Sequence, residues 1–381
     1  MKPFAKGPST TRLSGIRLIK NAAYGIPGVI HLEIGQPDFP TPQHIVDAAC
    51  RAAQEGWTNY TPNAGLPSLR ELIAEKLERD NHYKAAPDDI VVTAGGANAV
   101  FAGLLALVDY GEEVLIPDPY WPNVEGMVAA IISAVLKRYP LDPEDNFLPD
   151  MAALEKLVTD KTKVLLLNSP NNPVGSVLPR DRIEELMEFA QKRDLYLISD
   201  EPYEAIIFEG EHVSPAVFDK ERVVSCYTFS KTYSMTGWRL GYAVAAPDLS
   251  KVITKVVAND ISCASSISQK AGEAALSGSQ DCVKMMVDSY HERRDAAVAI
   301  LEANGIPHHK PEGAFYLWFD ISQSGMGSTD WALALLKEQK VAVSPGEAFT
   351  GGPSTYIRAS LATEKQALVE GMERICSFLA S

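Results

Sequence analysis

The stretch Val223-Val224-Ser225-Cys226-Tyr227-Thr228-Phe229-Ser230-Lys231-Thr232-Tyr233-Ser234-Met235-Thr236-Gly237-Trp238-Arg239-Leu240-Gly241-Tyr242-Ala243-Val244 decides how this chain is read. It opens on an apolar, β-branched run and closes on another. Alternate side chains of a strand point to opposite sides, so runs this apolar read as strands covered on both faces. Between them lies a polar loop with one lysine, Lys231, and one arginine, Arg239. Loops after buried strands are where sheet proteins keep their chemistry.

Working outward, further β-branched runs at 90–93, 113–117, 134–139, 163–167 and 195–199 join those at 223–227 and 241–245 as candidate strands. Segments 97–108, 121–130, 150–158 and 180–193 between them have helical spacing. Alternation on this scale predicts an α/β domain with a mostly parallel, seven-stranded sheet. After residue 285 the texture changes. A charged helix over 285–303 stops at Asn304-Gly305, then strands at 315–320, 341–344 and 355–360 mix with helices at 329–339 and from 363. That pattern predicts a smaller α+β domain. Residues 1–45, Pro-rich over 37–42, read as an arm that also contributes to the small domain, with 46–285 the large domain and 286–381 the small one.

Composition narrows the function. The 381 residues are 46% hydrophobic and 22% charged, ordinary for a globular protein, with chain enough for a sizeable core. A formal charge of −14 argues against nucleic acid and anionic membranes, which need a basic footprint. The apolar run at 99–108 is about half of what a membrane crossing needs. No secretory leader is evident, so a cytoplasmic location is expected. Five cysteines without CxxC spacing read as buried thiols in a reducing compartment. Seven histidines without HExxH or HxH spacing predict no metal.

A lysine amine can form a Schiff base with an aldehyde, and an arginine fork can clamp a phosphate. Pyridoxal 5'-phosphate carries both groups. Other segments offer uses for the same molecule, each beside a plainer one. Thr93-Ala94-Gly95-Gly96-Ala97-Asn98 follows a strand and opens a helix, whose N-terminus favours an anion, though a glycine pair also serves a simple turn. Asp200 ends a buried run; it is either a helix cap or a partner for a pyridinium nitrogen. Tyr203 shares that neighbourhood. The run Asn168-Ser169-Pro170-Asn171-Asn172-Pro173-Val174-Gly175 places amides after a strand, as a stack of turns also would. Tyr120 and Trp121 are rivals for stacking on a flat heterocycle. Arg358 alternates with apolar residues and suits an α-carboxylate or a structural ion pair.

Taken together, these segments resemble the class I and II aminotransferases, pyridoxal phosphate enzymes of fold type I. The resemblance runs from Gly35-Gln36-Pro37-Asp38-Phe39 to Arg358, with the motifs in family order. Its most specific part is Ser-Lys-x-x-x-Met-Thr-Gly-Trp-Arg at 230–239, followed by Asn-Asn-Pro-x-Gly and Asp-Glu-x-Tyr. It implies a homodimer with shared active sites. It implies that Lys231 forms the Schiff base and is the general base, that Asp200 pairs with the ring nitrogen, and that Asn172 and Tyr203 contact the ring oxygen. Trp121 would stack on the ring. Gly96, Ala97, Thr228 and Arg239 would hold the phosphate, with Tyr60 reaching the partner subunit's phosphate. Arg358, with the Gly35 backbone and Asn172, would bind the substrate.

The implied reaction is ping-pong transfer of an amino group from an L-amino acid to a 2-oxo acid. Some members carry a lysine directly after the glycine pair for a side-chain carboxylate; here Ala97 stands there. A neutral or aromatic donor is therefore expected over aspartate. Three rivals compete. A β-lyase acting on cysteine-type substrates would share every residue named. The effector half of a transcription regulator needs a basic DNA-binding module that the residues before Gly35 cannot house. A nicotinamide dehydrogenase lacks its phosphate fingerprint here and leaves Lys231 idle.

Overall fold

A computed structural model describes residues 4, 14–128 and 133–380. Strand β1 (Ile30–His31) belongs to the small domain's side of the molecule. The main sheet is built from β2 (Ile90–Thr93), β3 (Glu113–Asp118), β4 (Val135–Asp142), β5 (Leu148–Pro149), β6 (Thr162–Asn168), β7 (Tyr196–Asp200), β8 (Val223–Thr228) and β9 (Gly241–Val244). Their order is β2-β9-β8-β7-β6-β3-β4-β5. All seven expected strands are present, and the two-residue β5 adds an antiparallel edge. From β8 to β4 the pairing is parallel, whereas β9 runs against both its neighbours.

That single reversal has a local cause. A parallel return needs a crossover of a dozen or more residues, usually a full helix. The twelve residues 229–240 that join β8 to β9 are at that lower limit, and they hold no crossover helix but a one-turn helix, Phe229–Thr232, and a 3-10 turn, Thr236–Trp238. The chain therefore folds straight back beside β8.

Both faces of the sheet are covered, as the continuous apolar runs predict. Val91, Val164, Leu166, Ile198, Val224 and Ala243 pack on one face with helix Gly96–Leu107. Ile90, Val92, Leu165, Leu197, Val223 and Tyr242 pack on the other with Pro67–Asp80 and Ser266–Ser277. Burying each such Val, Ile or Leu contributes about 1.5–3 kcal/mol.

The second sheet is antiparallel, in the order β10 (His308–His309), β11 (Tyr316–Asp320), β14 (Tyr356–Ser360), β13 (Ser344–Pro345). It shares a core with helices Asp281–Ala303, Ser328–Gln339 and Lys365–Leu379. Ile19, Ala23 and Leu32 from the N-terminal segment join this core. β1 pairs in parallel with β12 (Val341–Ala342). The expected arm thus contains helix Gly15–Ala23 and a strand; its residues 1–3 and 5–13 lie outside the described residues. Three elements differ from expectation: the charged helix starts at Asp281 rather than 285, the strand read over 341–344 is two short strands in different sheets, β12 and β13, and the helix read over 121–130 is shortened. The helix read over 121–130 is only the turn Asn123–Glu125, wound more widely over 126–128, and residues 129 and 130 lie outside the described residues. Pro122 is the N-cap, where a missing N–H costs nothing, so the helix begins behind it rather than at 121.

Gly241 shows how tightly the turn before helix Gly96–Leu107 packs on β9. A Cβ there would lie 2.6 Å from the Gly95 carbonyl carbon and 2.7 Å from both the Gly96 nitrogen and the Tyr227 oxygen. Gly241→Ala is expected to cost about 1–3 kcal/mol through overpacking. Urea unfolding of the variant checks this, and an unchanged midpoint contradicts it.

Candidate active site

Three neighbouring parallel strands, β6, β7 and β8, end in Asn168, Asp200 and Thr228. Their registers align Asn168 with Asp200 and Asp200 with Cys226, so the polar residues reach one rim of the sheet. Ligands of such sheets bind outside the carboxyl ends of the strands. A cavity of about 570 Å³ opens there.

Each wall has an identifiable support. Asn168 donates to the Asp200 carbonyl at 2.9 Å and accepts from the Asn172 N–H at 2.8 Å, fixing the loop that follows β6. Asn172 then accepts from the Arg358 guanidinium at 2.9 Å. Arg358 arrives on β14 between Ile357 and Ala359, whose side chains enter the small core. It is 2% exposed, donates to the Glu33 carbonyl at 2.6 Å and lies over the Tyr316 ring at 4.3 Å. Its Nε has no partner in the protein. A buried guanidinium facing a cavity with donor capacity to spare suits a carboxylate.

On the opposite side, Gly95 adopts φ +87° as the N-cap of helix Gly96–Leu107, and a Cβ there would meet the Arg239 guanidinium at 2.5 Å. Gly96 and Ala97 line the cavity beside Arg239 and Thr228. The Thr228 hydroxyl accepts from the Ser230 N–H at 3.1 Å. Free helical N–H groups, a guanidinium and hydroxyls form a cradle suited to a phosphate. Trp121 and Tyr203 also line the cavity, and the Tyr203 and Tyr316 hydroxyls are 2.7 Å apart.

Two groups at the centre have unusual acidity. Burial raises the Asp200 carboxyl to about 7, against the opposing effects of its bond from Tyr120 and the charge of Lys231. Burial lowers the Lys231 amine to about 8, aided by Arg358 and Arg239. Lys231 donates to the Gly35 carbonyl at 2.6 Å. A carboxylate and an amine shifted towards neutrality in one cleft are what proton-transfer chemistry requires.

The fold therefore gathers Gly35, Gly96, Ala97, Trp121, Asn172, Asp200, Tyr203, Thr228, Lys231, Arg239 and Arg358 around one cavity. Tyr60 is not among them; it is 88% exposed. The rivalry between Tyr120 and Trp121 is divided by position. Tyr120 is fully buried and donates to the Asp200 carboxylate at 2.7 Å, while Trp121 faces the cavity. Sequence reasoning did not identify that Tyr120 bond, nor Ser230, Tyr316 or the helix-borne Arg17 and Lys20 at the cavity's wall. For Ser230, its place beside Lys231 was a usable signal; for Tyr120 only the fold shows it.

The profile of the family described as aminotransferase class I and II matches residues 27–375. The aspartate aminotransferase of Pyrococcus horikoshii is 38% identical over 366 residues, covering 95% of this chain and 93% of that protein. The aromatic-amino-acid aminotransferase 2 of Thermococcus litoralis is 38% identical over 370 residues, with 95% and 94% covered. A single mutant of the Thermus thermophilus aspartate aminotransferase superposes with a TM-score of 0.95 at 35% identity, over 99% of this chain and 100% of that one.

The shifted groups have consequences for stability without a ligand. Because the folded carboxyl of Asp200 sits at about 7, above the roughly 3.9 of an unfolded aspartate, its contribution is full below about pH 4 and lost as pH rises through about 7. Lys231 behaves oppositely. Its folded value of about 8 lies below the roughly 10.4 of an unfolded lysine, so its contribution is lost as pH falls through about 8. In cofactor-free protein, Asp200→Asn should abolish the Asp200 part of the decline between about pH 4 and 7. Urea midpoints of parent and variant across that range measure it. Parallel curves contradict the assignment.

Proposed function

Because the chain belongs to the class I and II aminotransferases, whose members act on amino acids and 2-oxo acids with pyridoxal 5'-phosphate, we propose that the cavity around Lys231 is where this protein performs that transfer. The residues fit the cofactor. Asp200 is buried with one hydrogen-bond donor, Tyr120, and calls for a cation such as a protonated ring nitrogen. The cradle of Gly96, Ala97, Thr228 and Arg239 fits its phosphate, and the Lys231 amine its aldehyde. Bound there, the cofactor supplies an aldehyde that takes up the amino group and a ring that accepts the electron pair left when the α-proton departs.

The remaining work falls to the chain. Lys231, held near neutrality, takes the α-proton and returns it one step later. Asp200 would keep the ring nitrogen protonated, Asn172 and Tyr203 would hold the ring oxygen, and Trp121 would cover the ring. Arg358 clamps the α-carboxylate with Asn172 and the Gly35 backbone, so that the α-carbon lies within reach of Lys231. The observation that carries this reading is the meeting of Lys231 and Asp200 in one cavity, each displaced towards neutrality.

The finer assignments are of the same kind. A neutral or aromatic donor over aspartate is supported by Ala97, an uncharged residue beside the glycine pair. A homodimer, with Tyr60 reaching the partner subunit's phosphate, is supported by Tyr60 itself, which is 88% exposed and outside this chain's own cavity. A division at 1–45, 46–285 and 286–381 is supported by the separate core of the small sheet. Five free thiols favour a reducing, cytoplasmic location, and among the described residues no helix is long and apolar enough to cross a membrane.

Purified protein should be yellow, and borohydride should fix the chromophore on the peptide containing Lys231; Lys231→Ala should form no such adduct. Label on another lysine overturns the assignment. Arg358→Lys should raise KM for donor and acceptor alike, about tenfold or more, because one ammonium cannot replace the fork. In a donor panel with 2-oxoglutarate or pyruvate, aspartate turning over fastest would refute the donor preference and direct attention to Arg17 and Lys20.

A further inference from the structure

Tyr120 stands behind the catalytic cavity rather than in it. It follows β3 and is fully buried, packed in one core with Ile116, Val124, Leu166, Ile198 and Cys226. Its N–H donates to the Phe349 carbonyl at 2.9 Å. Phe349 is itself buried, and its ring centre lies 4.8 Å from the Arg358 guanidinium. Arg138 donates to the same carbonyl at 3.2 Å and pairs with Asp118, which accepts from the Gly351 N–H at 3.2 Å. The segment between β13 and β14 therefore fixes the loop that carries Tyr120, and one of its residues also supports Arg358.

Core packing explains where the ring of Tyr120 lies but not the aim of its hydroxyl. That hydroxyl donates to Asp200 Oδ2 at 2.7 Å, and among the described residues no other hydrogen bond reaches the Asp200 carboxylate. Asp200 lines the cavity and Tyr120 does not, so the bond approaches from the buried side. Against burial, which raises the Asp200 carboxyl, the Tyr120 bond and the Lys231 charge work downward and the Glu201 charge upward. Cys226 on β8 and Tyr203 also face this carboxylate and keep their protons, since burial pushes both well above their ordinary values. Burial and the Asp200 charge push the Tyr120 phenol up in the same way, so it can only donate. A phenol donating to a carboxylate forms a charge-assisted bond that favours the ionised form.

We propose that Tyr120 is a positioning residue for the amino transfer: its hydroxyl orients Asp200 and holds it ionised, so that the carboxylate can keep a ring nitrogen charged. It acts through Asp200 alone. The catalytic consequence rests on the reading of the cavity given above, whereas the hold on Asp200 belongs to the empty protein as well. Tyr120→Phe is the discriminating change, because it keeps the buried ring and removes only the oxygen.

In cofactor-free protein the Asp200 carboxyl, already at about 7, should rise further once its donor is gone. Its contribution to stability is full below about pH 4 and is lost as pH rises through the folded value. Tyr120→Phe is therefore expected to move the upper end of that decline upward by about one to two pH units, read from urea midpoints between about pH 4 and 10. In an Asp200→Asn background the same change should leave the profile unmoved. A loss of packing alone would lower the midpoints equally at every pH and in both backgrounds. In the holoenzyme, kcat should fall about tenfold or more while KM for the donor stays within about twofold, since Arg358 is untouched. Parallel profiles for parent and Tyr120→Phe, the same displacement in the Asp200→Asn background, or a parental kcat overturns the proposal. Parent protein that takes up no pyridoxal phosphate overturns the earlier reading and with it the catalytic role, while a displaced profile would still establish the hold on Asp200.

Discussion

Asp200 and Lys231 share one cavity without neutralising each other, and the surrounding structure depends on that arrangement. Both are pushed towards their uncharged forms by burial. They do not close into an ion pair, because each is tied to another partner. Tyr120 donates to Asp200 from beneath the cavity floor, and Lys231 donates to the Gly35 carbonyl on the far side. A direct bridge would satisfy both groups and leave neither for a ligand. Holding them apart leaves both groups available to a ligand, at the expense of stability in the empty protein.

That separation requires supports from distant parts of the chain. Asp200 is fixed by its strand and by Asn168 on the adjacent one. Arg358 comes from the other sheet, 186 residues from Asn172 in sequence, and bonds to it directly. The same guanidinium donates to the Glu33 carbonyl, which brings the N-terminal segment to the cavity. The two sheets therefore meet through a polar network in which each member is positioned by the next. A network of this kind rigidifies only when its members are satisfied, and Asn172 and Arg358 both line the cavity. The tight return from β8 to β9 adds a further constraint. With only residues 229–240 available, the segment carrying Lys231 is pinned between two strands.

Much of this was legible in the residues. The seven runs of the main sheet were readable because strands covered on both faces must be apolar throughout. Helix 180–193 was readable from its spacing, and its bounds in the fold are Arg180–Arg193. The segment at 121–130 misled because apolar residues at helical spacing do not reveal that the first turn starts behind Pro122 and winds differently after Glu125. Most of the ligand-facing residues were legible too, since a lysine, a carboxylate or a glycine pair at the end of a buried run has few other uses. The role of Tyr120 was not, because a tyrosine after a strand carries no mark of which carboxylate it will meet.

By itself the sequence determined the local chemistry: which runs could be strands, where each would stop, and which side chains stood at those ends. Hydrophobic period and turn chemistry act over a few residues, so they can be read from a few residues. Only the tertiary structure decided that the Glu33 carbonyl would hold Arg358 against Asn172, and that Tyr120 would donate to Asp200. Those outcomes depend on how two sheets and their helices pack, and burial, which shifts the acidity of both central groups, exists only once they have packed.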